Sequence, residues 1–229
     1  MIEISNVSRQ YQRGADEVHA LEDVSLAIAK GHFVALMGPS GSGKSTLLNL
    51  LAGLDRPTRG SVEVAGRRLN DLSEDQLAQF RARHLGFVFQ FFNLIPVLSA
   101  RENVELPLLL TELAKHERRE RAETALRIVG LAARADHRPA QLSGGEQQRV
   151  AIARAIVSDP EIVVGDEPTG DLDAKNAEEV LGLLRTLKQD FGKTVVIVTH
   201  DPRAVKYVDE VVHLDKGVLT GSEPGGAGR

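Results

Sequence analysis

The hydrophobic positions change period several times along the chain. Ile2 to Gln12 alternates apolar and polar residues as a half-buried strand does, and Glu17 to Ala29 reads as one or two more strands. His32 to Met37 (HFVALM) is a short apolar run without alternation, the pattern of a strand buried on both faces. It leads into a glycine-rich turn and a helix over Lys44–Ala52, which Gly53 stops. Arg59–Ala65 predicts another strand, Ser73 to Arg83 a polar helix, and Leu85–Gln90 a further strand.

The middle of the chain differs. From Ser99 to Val157 the period is helical, with charged faces around residues 112–127 and a turn at Arg138–Pro139. The ERRER run there reads as the solvated face of a helix. Buried strands then return at Glu161–Gly165, Thr194–Thr199 and Glu210–Leu214, with a helix over Ala174–Asp190 between the first two. Strands alternating with helices predict an α/β fold around a parallel sheet covered on both faces. The helical stretch interrupting that alternation reads as an inserted subdomain, and residues 221–229 (GSEPGGAGR) as a disordered tail.

Composition narrows the partners. The 229 residues suffice for one sizeable core with a small subdomain. A net charge of -4 argues against nucleic acid as the main partner. The chain has 0 cysteines, which excludes disulfides, thiol nucleophiles and cysteine–zinc sites. The longest apolar stretches, LLNLLAGL and VELPLLL, fall short of the roughly 20 residues of a membrane span. The opening MIEISNVSRQYQRG lacks the order of a secretion signal, so a cytosolic chain is expected.

The chemistry is concentrated in a few motifs. Gly38-Pro39-Ser40-Gly41-Ser42-Gly43-Lys44-Ser45-Thr46 fits G-x-x-x-x-G-K-[ST] between a strand and a helix. Its backbone N–H groups can converge on phosphate oxygens at a helix N-terminus. Lys44 would reach the β- and γ-phosphates and the Ser45 hydroxyl would bind Mg²⁺. A buried strand ends in Asp166-Glu167, either a turn and helix cap or a metal-holding carboxylate and a general base at the strand's tip. Gln90 follows a strand and is either polar surface or a contact to metal or attacking water. His200 at a strand end is either structural or catalytic, and Tyr11 either packs in the core or stacks on a base. In Gln141–Ala155 (QLSGGEQQRVAIARA), Ser143 and Glu146 stand in the relation of a capping box, while Gly144 and Gly145 leave the helix tip unobstructed. It is either simply a well-capped helix of the small subdomain or a second anion-binding tip about a hundred residues from the first.

The order of phosphate loop, Gln90, LSGGEQQR, Asp166-Glu167, Gly170-Asp171-Leu172-Asp173 and His200 resembles the ATPase subunit of ATP-binding-cassette transporters along nearly the whole chain. The resemblance implies a P-loop RecA-like core with a small antiparallel β subdomain and an inserted α-helical subdomain. Residues 1–90 would form the first part of the core, 91–157 the helical subdomain and 158–220 the rest of the core. ATP and Mg²⁺ are the implied ligands. Tyr11 matches the adenine-stacking aromatic, and Gly38–Thr46 the phosphate loop. Gln90 matches the glutamine sensing metal and permease, Asp166 the metal aspartate, Glu167 the catalytic base and His200 the γ-phosphate switch histidine. Ser143–Glu146 match the element that closes over the partner subunit's ATP in a head-to-tail dimer, and Asp173 the residue linking the two sites. Two departures from the family pattern are Gly165, expected to loosen its strand, and Asp171, expected to add charge near the dimer interface.

Phe89–Pro96 and Ser99–Pro107 look like the branch serving macrolide exporters, lipoprotein-release systems and cell-division permeases. This implies a membrane permease as partner and a peripheral place on the inner face of the cell membrane. Phe91, Phe92, Leu94 and Ile95 either fill the helical subdomain's core or form a groove for a permease helix.

Overall fold

The computed structural model describes residues 1–14 and 16–228. Strands β1 (Ile2–Arg13) and β2 (Asp16–Ile28) pair antiparallel, with register shifts near Ile4, Val7 and Arg9. The segment 17–29 is thus one strand rather than two. Strand β3 (Phe33–Met37) leads through the glycine-rich turn to helix α1 (Lys44–Leu51). Strand β4 (Arg59–Val64) and the short β5 (Arg67–Arg68) complete an antiparallel sheet of order β2-β1-β4-β5. Helix α2 (Glu74–His84), started by the Ser73–Gln76 capping box, feeds β6 (Leu85–Phe89).

The helical region contains α3 (Ala100–Glu105), α4 (Lys115–Ile128) and α5 (Gly144–Ile156). Strand β7 (Ile162–Asp166), helix α6 (Ala174–Phe191), β8 (Thr194–Val198), β9 (Glu210–Asp215) and β10 (Val218–Pro224) follow. The second sheet has the order β10-β9-β3-β8-β7-β6, with β9 to β6 parallel and β10 antiparallel to β9.

The apolar runs without alternation are the central strands of this sheet, buried on both faces. Phe33 and Ala35 join one core cluster and Val34 and Leu36 the other. Val195 and Ile197 divide from Val196 and Val198 in the same way. The first cluster runs on into α3, α4 and α5 through Val104, Leu126 and Ile152, and the second holds α1, α2 and the antiparallel sheet. The helical region therefore shares its core with one face of the sheet.

Two expectations are corrected. Residues 221–224 are not a disordered tail. Gly221 to Pro224 pair with His213 to Glu210, and Gly225 is buried with its N–H donating to Asp209 O. The polar composition misleads there because an edge strand draws its order from ladder hydrogen bonds rather than from buried side chains. Arg229 lies outside the described residues. Gly165 does not loosen β7 either: a Cβ there would stand 3.1 Å from Ile197 Cγ2 and 3.4 Å from Pro168 Cγ, so packing already fills the space.

Candidate functional site

The second sheet sends the C-terminal ends of β3, β6, β7 and β8 to one side, the crevice where open α/β sheets bind ligands. A cleft of 750 Å³ opens there, lined by Gly38 to Thr46, Gln90, Glu167, Val198 and His200. Its far wall is Val18, His19 and Ala20 of β2. No sequence motif marks those residues.

The glycine-rich turn ends in Gly43, the N-cap of α1, in the left-handed region at φ 97 with no side-chain cap. Only glycine adopts that conformation without strain. The unblocked tip leaves the first N–H groups of the helix to a ligand. Lys44 is buried, and its Nζ donates to Gly38 O at 2.8 Å and Pro39 O at 2.7 Å. The ammonium is thus held over the loop by that loop's own carbonyls.

Ser45 Oγ donates to Asp166 Oδ1 at 3.2 Å, bringing a hydroxyl of α1 beside a carboxylate at the end of β7. Burial pushes the Asp166 carboxyl up, opposed by the Ser45 hydrogen bond and assisted by the neighbouring Glu167 charge. A hydroxyl and one carboxylate form the partial oxygen set with which Mg²⁺ pairs phosphate oxygens and water. Gln90 Nε2 donates to Asp171 Oδ1 at 3.0 Å, which leaves the amide oxygen as its free donor atom toward a metal. Asp171, read from sequence only as added charge, is therefore the group that orients Gln90.

Glu167 has φ 49, left-handed backbone for a residue with a side chain. Its N–H donates to Val198 O at 2.9 Å, so the chain turns sharply where β7 ends. Such strain concentrates at functional positions. The carboxylate faces His200, whose Nδ1 donates to Glu167 Oε1 at 2.9 Å. Two residues 33 apart in sequence thus form one pair in the cleft. Thr169 Oγ1, donating to Asp201 Oδ2 at 3.3 Å, ties the turns that bear them.

Helix α5 begins outside this cleft. Ser143 Oγ accepts from Glu146 N at 3.2 Å, and Glu146 Oε2 accepts from Ser143 N at 2.8 Å. The hydrogen bond from the Ser143 backbone, followed by that from its side chain and the nearby arginines, holds the Glu146 carboxyl below the usual range. Gly145 packs so closely on Asn176 that any side chain would collide with its amide. Asn176 is in turn fixed by Asp173, which caps α6 with Oδ1 2.9 Å from Asn176 N. The tips of α5 and α6 are therefore one packed unit, and neither Ser143–Glu146 nor Asp173 lines the cleft.

Tyr11, the expected adenine contact, stands outside the cleft lining, as Asp166 and Asp173 do. Its hydroxyl donates to Asp55 Oδ2 at 2.6 Å, and the Arg9 guanidinium lies 4.4 Å from its ring centroid. Arg9 also grips Asp55. That ion pair offers the hydroxyl a better partner than solvent, a contact invisible in the alternation of β1. Its cross-strand partner Val18 does line the cleft.

The segment after Gln90 divides. Leu94 packs on the core, Phe92 is half-buried, and Phe91 and Ile95 are exposed. An apolar groove of 390 Å³ lies beside it, lined by Phe87, Phe89, Pro107 and Leu110 with Arg81 and Arg154. None of the four aromatic and aliphatic candidates lines this groove.

The family profile described as ABC transporter matches residues 21–170, more than half of the chain, from just after the cleft's far wall to the end of the Glu167 turn. The chain belongs to the ABC transporter family, as its ATPase cassette. It is 48% identical over 227 residues to an uncharacterized ABC transporter ATP-binding protein, MJ0796, of Methanocaldococcus jannaschii, covering 97% of both chains. It is 47% identical over 217 residues to a macrolide export ATP-binding/permease protein of Yersinia pestis, covering 95% of this chain but 33% of that protein. The chain thus spans about a third of that exporter. A dimeric structure of the MJ0796 cassette bound to ADP and Pi superposes with TM-score 0.89 at 46% identity, covering 98% of both chains. Among the described residues, no helix of this ABC cassette is long and apolar enough to cross a membrane.

Proposed function

We propose that this ABC cassette binds Mg²⁺–ATP in the 750 Å³ cleft, hydrolyses it within a head-to-tail dimer and drives a membrane permease, for export or lipoprotein release. One observation carries this reading: the phosphate loop, Glu167 and His200 share a cleft, whereas the second glycine-rich tip, Ser143–Gly145, lies outside its lining. One chain therefore holds two complementary half-sites, and a second copy turned end for end would complete both. The dimeric MJ0796 structures and the ATP-binding/permease organisation of the macrolide exporter support the two partners.

Hydrolysis here is in-line attack of water on the γ-phosphate, in which the protein supplies position and charge rather than a covalent intermediate. Lys44 and the N–H groups at the start of α1 hold the β- and γ-phosphates. Ser45, Asp166 and the Gln90 amide oxygen would hold Mg²⁺, which neutralises phosphate charge. Glu167 orients the water and takes its proton. His200, donating to Glu167, fixes the rotamer of that base. Tyr11, on the same face of the β1–β2 ladder as Val18, would offer the ring face opposite Arg9 to the base of the nucleotide. The groove beside Phe89 and Leu110 receives a cytoplasmic helix of the permease, which places the chain on the inner face of the membrane. Closure on ATP and opening after hydrolysis deliver work through the difference in ATP affinity between the two states.

The test uses Glu167→Gln. It should lower turnover by about 10²–10⁴-fold, as loss of a general base does. It should also run as a dimer with saturating Mg²⁺–ATP and carry a permease with it when purified from native membranes. A monomer under those conditions would overturn the shared-site mechanism. A dimer that brings only soluble partners would remove the transport assignment and leave the ATPase chemistry standing.

A further inference from the structure

Helix α5 does more than present Ser143. Gln148, one turn into it, is wholly buried, and its Nε2 donates to Phe89 O at 3.1 Å and to Pro168 O at 2.5 Å. Phe89 and Asp166 are the last paired residues of the β6–β7 ladder. Beyond that pair the strands part, one toward Gln90 and the other toward Glu167 and Pro168. The amide of Gln148 bridges the two chains where the ladder ends. Gln90 itself packs against the same turn, with its Cδ 3.0 Å from the place a Cβ on Gly170 would take.

The amide cannot be turned round, because both neighbours are carbonyls and only an NH₂ satisfies them. Its oxygen is buried with no partner among the described residues. An unpaired buried acceptor costs about 1–3 kcal/mol. An apolar side chain of the same length would fill the space without that cost, so packing does not explain a glutamine here. What only glutamine provides is a pair of donors at the fork. The same helix holds the next stretch as well: the Arg154 guanidinium donates to Phe92 O at 2.7 Å and to Asn93 O.

We propose that Gln148 is a positioning residue, which fixes the spacing between the segment bearing Gln90 and the turn bearing Glu167. It touches neither nucleotide nor metal. It sets the geometry in which the metal-side amide and the general base act together, and it makes α5, whose tip serves the other half-site, the support of both. This role rests on the ATPase reading above.

The test compares Gln148→Met, which keeps length and volume but has no donor, with Gln147→Met one residue earlier. The Gln147 side chain donates to Leu142 O within the helical region, and its substitution loads the same helix without touching the fork. Gln148→Met should lower kcat about 10–100-fold, the scale of a misplacement near 1 Å, with KM for ATP unchanged. Amide exchange should quicken in residues 89–93 and 167–170 but not in 44–51. Gln147→Met should leave kcat and exchange at the fork as they are. If Gln148→Met does not fold, Gln148→Asn, with both donors on a shorter stem, should show the same split at smaller size. Unchanged kcat with unchanged exchange at the fork would overturn the proposal, as would an equal loss in Gln147→Met. A wild-type chain that neither binds nor hydrolyses Mg²⁺–ATP would defeat the ATPase reading instead, and the exchange measurement still decides whether Gln148 holds the fork.

Discussion

Two glycine-rich turns open helices in this protein, and they are capped in opposite ways. At α1 the N-cap is Gly43, left-handed and without a side-chain hydrogen bond, so the donors at the tip await a ligand. At α5 the N-cap is Ser143, whose hydroxyl already takes the N–H of Glu146 while Glu146 answers to the N–H of Ser143. A turn that surrounds its ligand can leave its donors open, because the ligand will satisfy them. On the head-to-tail reading proposed above, the second tip waits for another subunit and must be stable alone, which fits its capping of itself and leaves the N–H groups of Gly144 and Gly145 for that partner's ligand. Their neighbours follow suit. The first turn stands among Lys44, Glu167 and His200, whereas the second stands on Asn176 and Asp173 and holds no reacting group of its own.

The contrast breaks most readily at Lys44. Lys44→Ala removes a buried cation from the first turn, and hydrogen bonds to charged groups are worth about 1.5–3 kcal/mol. Nucleotide affinity measured on the monomer should fall about 10–100-fold. Unchanged affinity would mean that the loop, not the ammonium, does the binding.

Ser143→Ala should act at the other tip. Losing the cap costs about 1 kcal/mol of stability, read as a lower denaturation midpoint. Affinity of the monomer for nucleotide should stay as it is, while the ATP-bound dimer of Glu167→Gln weakens. A loss of monomer binding would show that the two tips serve one site within the chain.

The smallest effect on stability concerns Asp166. Burial raises its carboxyl, so the folded chain keeps that proton to higher pH than the unfolded chain does. The charged carboxylate therefore opposes folding above its folded pKa, and the penalty fades as pH falls through that pKa. Asp166→Asn should melt at a higher temperature than the parent at pH 7 without nucleotide, with the gain shrinking in acid, while Mg²⁺-dependent hydrolysis is lost. A lower melting temperature at pH 7 would show that the Ser45 contact outweighs burial.

Much of the site is legible in the residue order, for a physical reason. Phosphate binding needs glycine, lysine and serine at fixed spacing on a strand–turn–helix, so Gly38–Thr46 announces itself, as does Asp166-Glu167 after a run of buried valines. The capping of α5 is equally plain, since S-x-x-E is a contact between residues three apart. The strand segments are legible because a strand buried on both faces loses its alternation, as HFVALM and TVVIVT do. Order in 221–224 is not, because it comes from pairing with β9.

What sequence alone determined about this protein is the set of groups whose roles depend on neighbours along the chain: the phosphate loop, the carboxylate pair, the self-capped tip and the α/β alternation. Tertiary structure decided the pairings that cross it. It turned Gln90 toward Asp171, set His200 on Glu167 and drew Tyr11 to Asp55. It also buried Gln148 at the fork between β6 and β7. Each of these is a hydrogen bond between residues far apart in sequence, and its partner is chosen by which surfaces the sheet and helices bring within about 3 Å, a distance that no local pattern encodes.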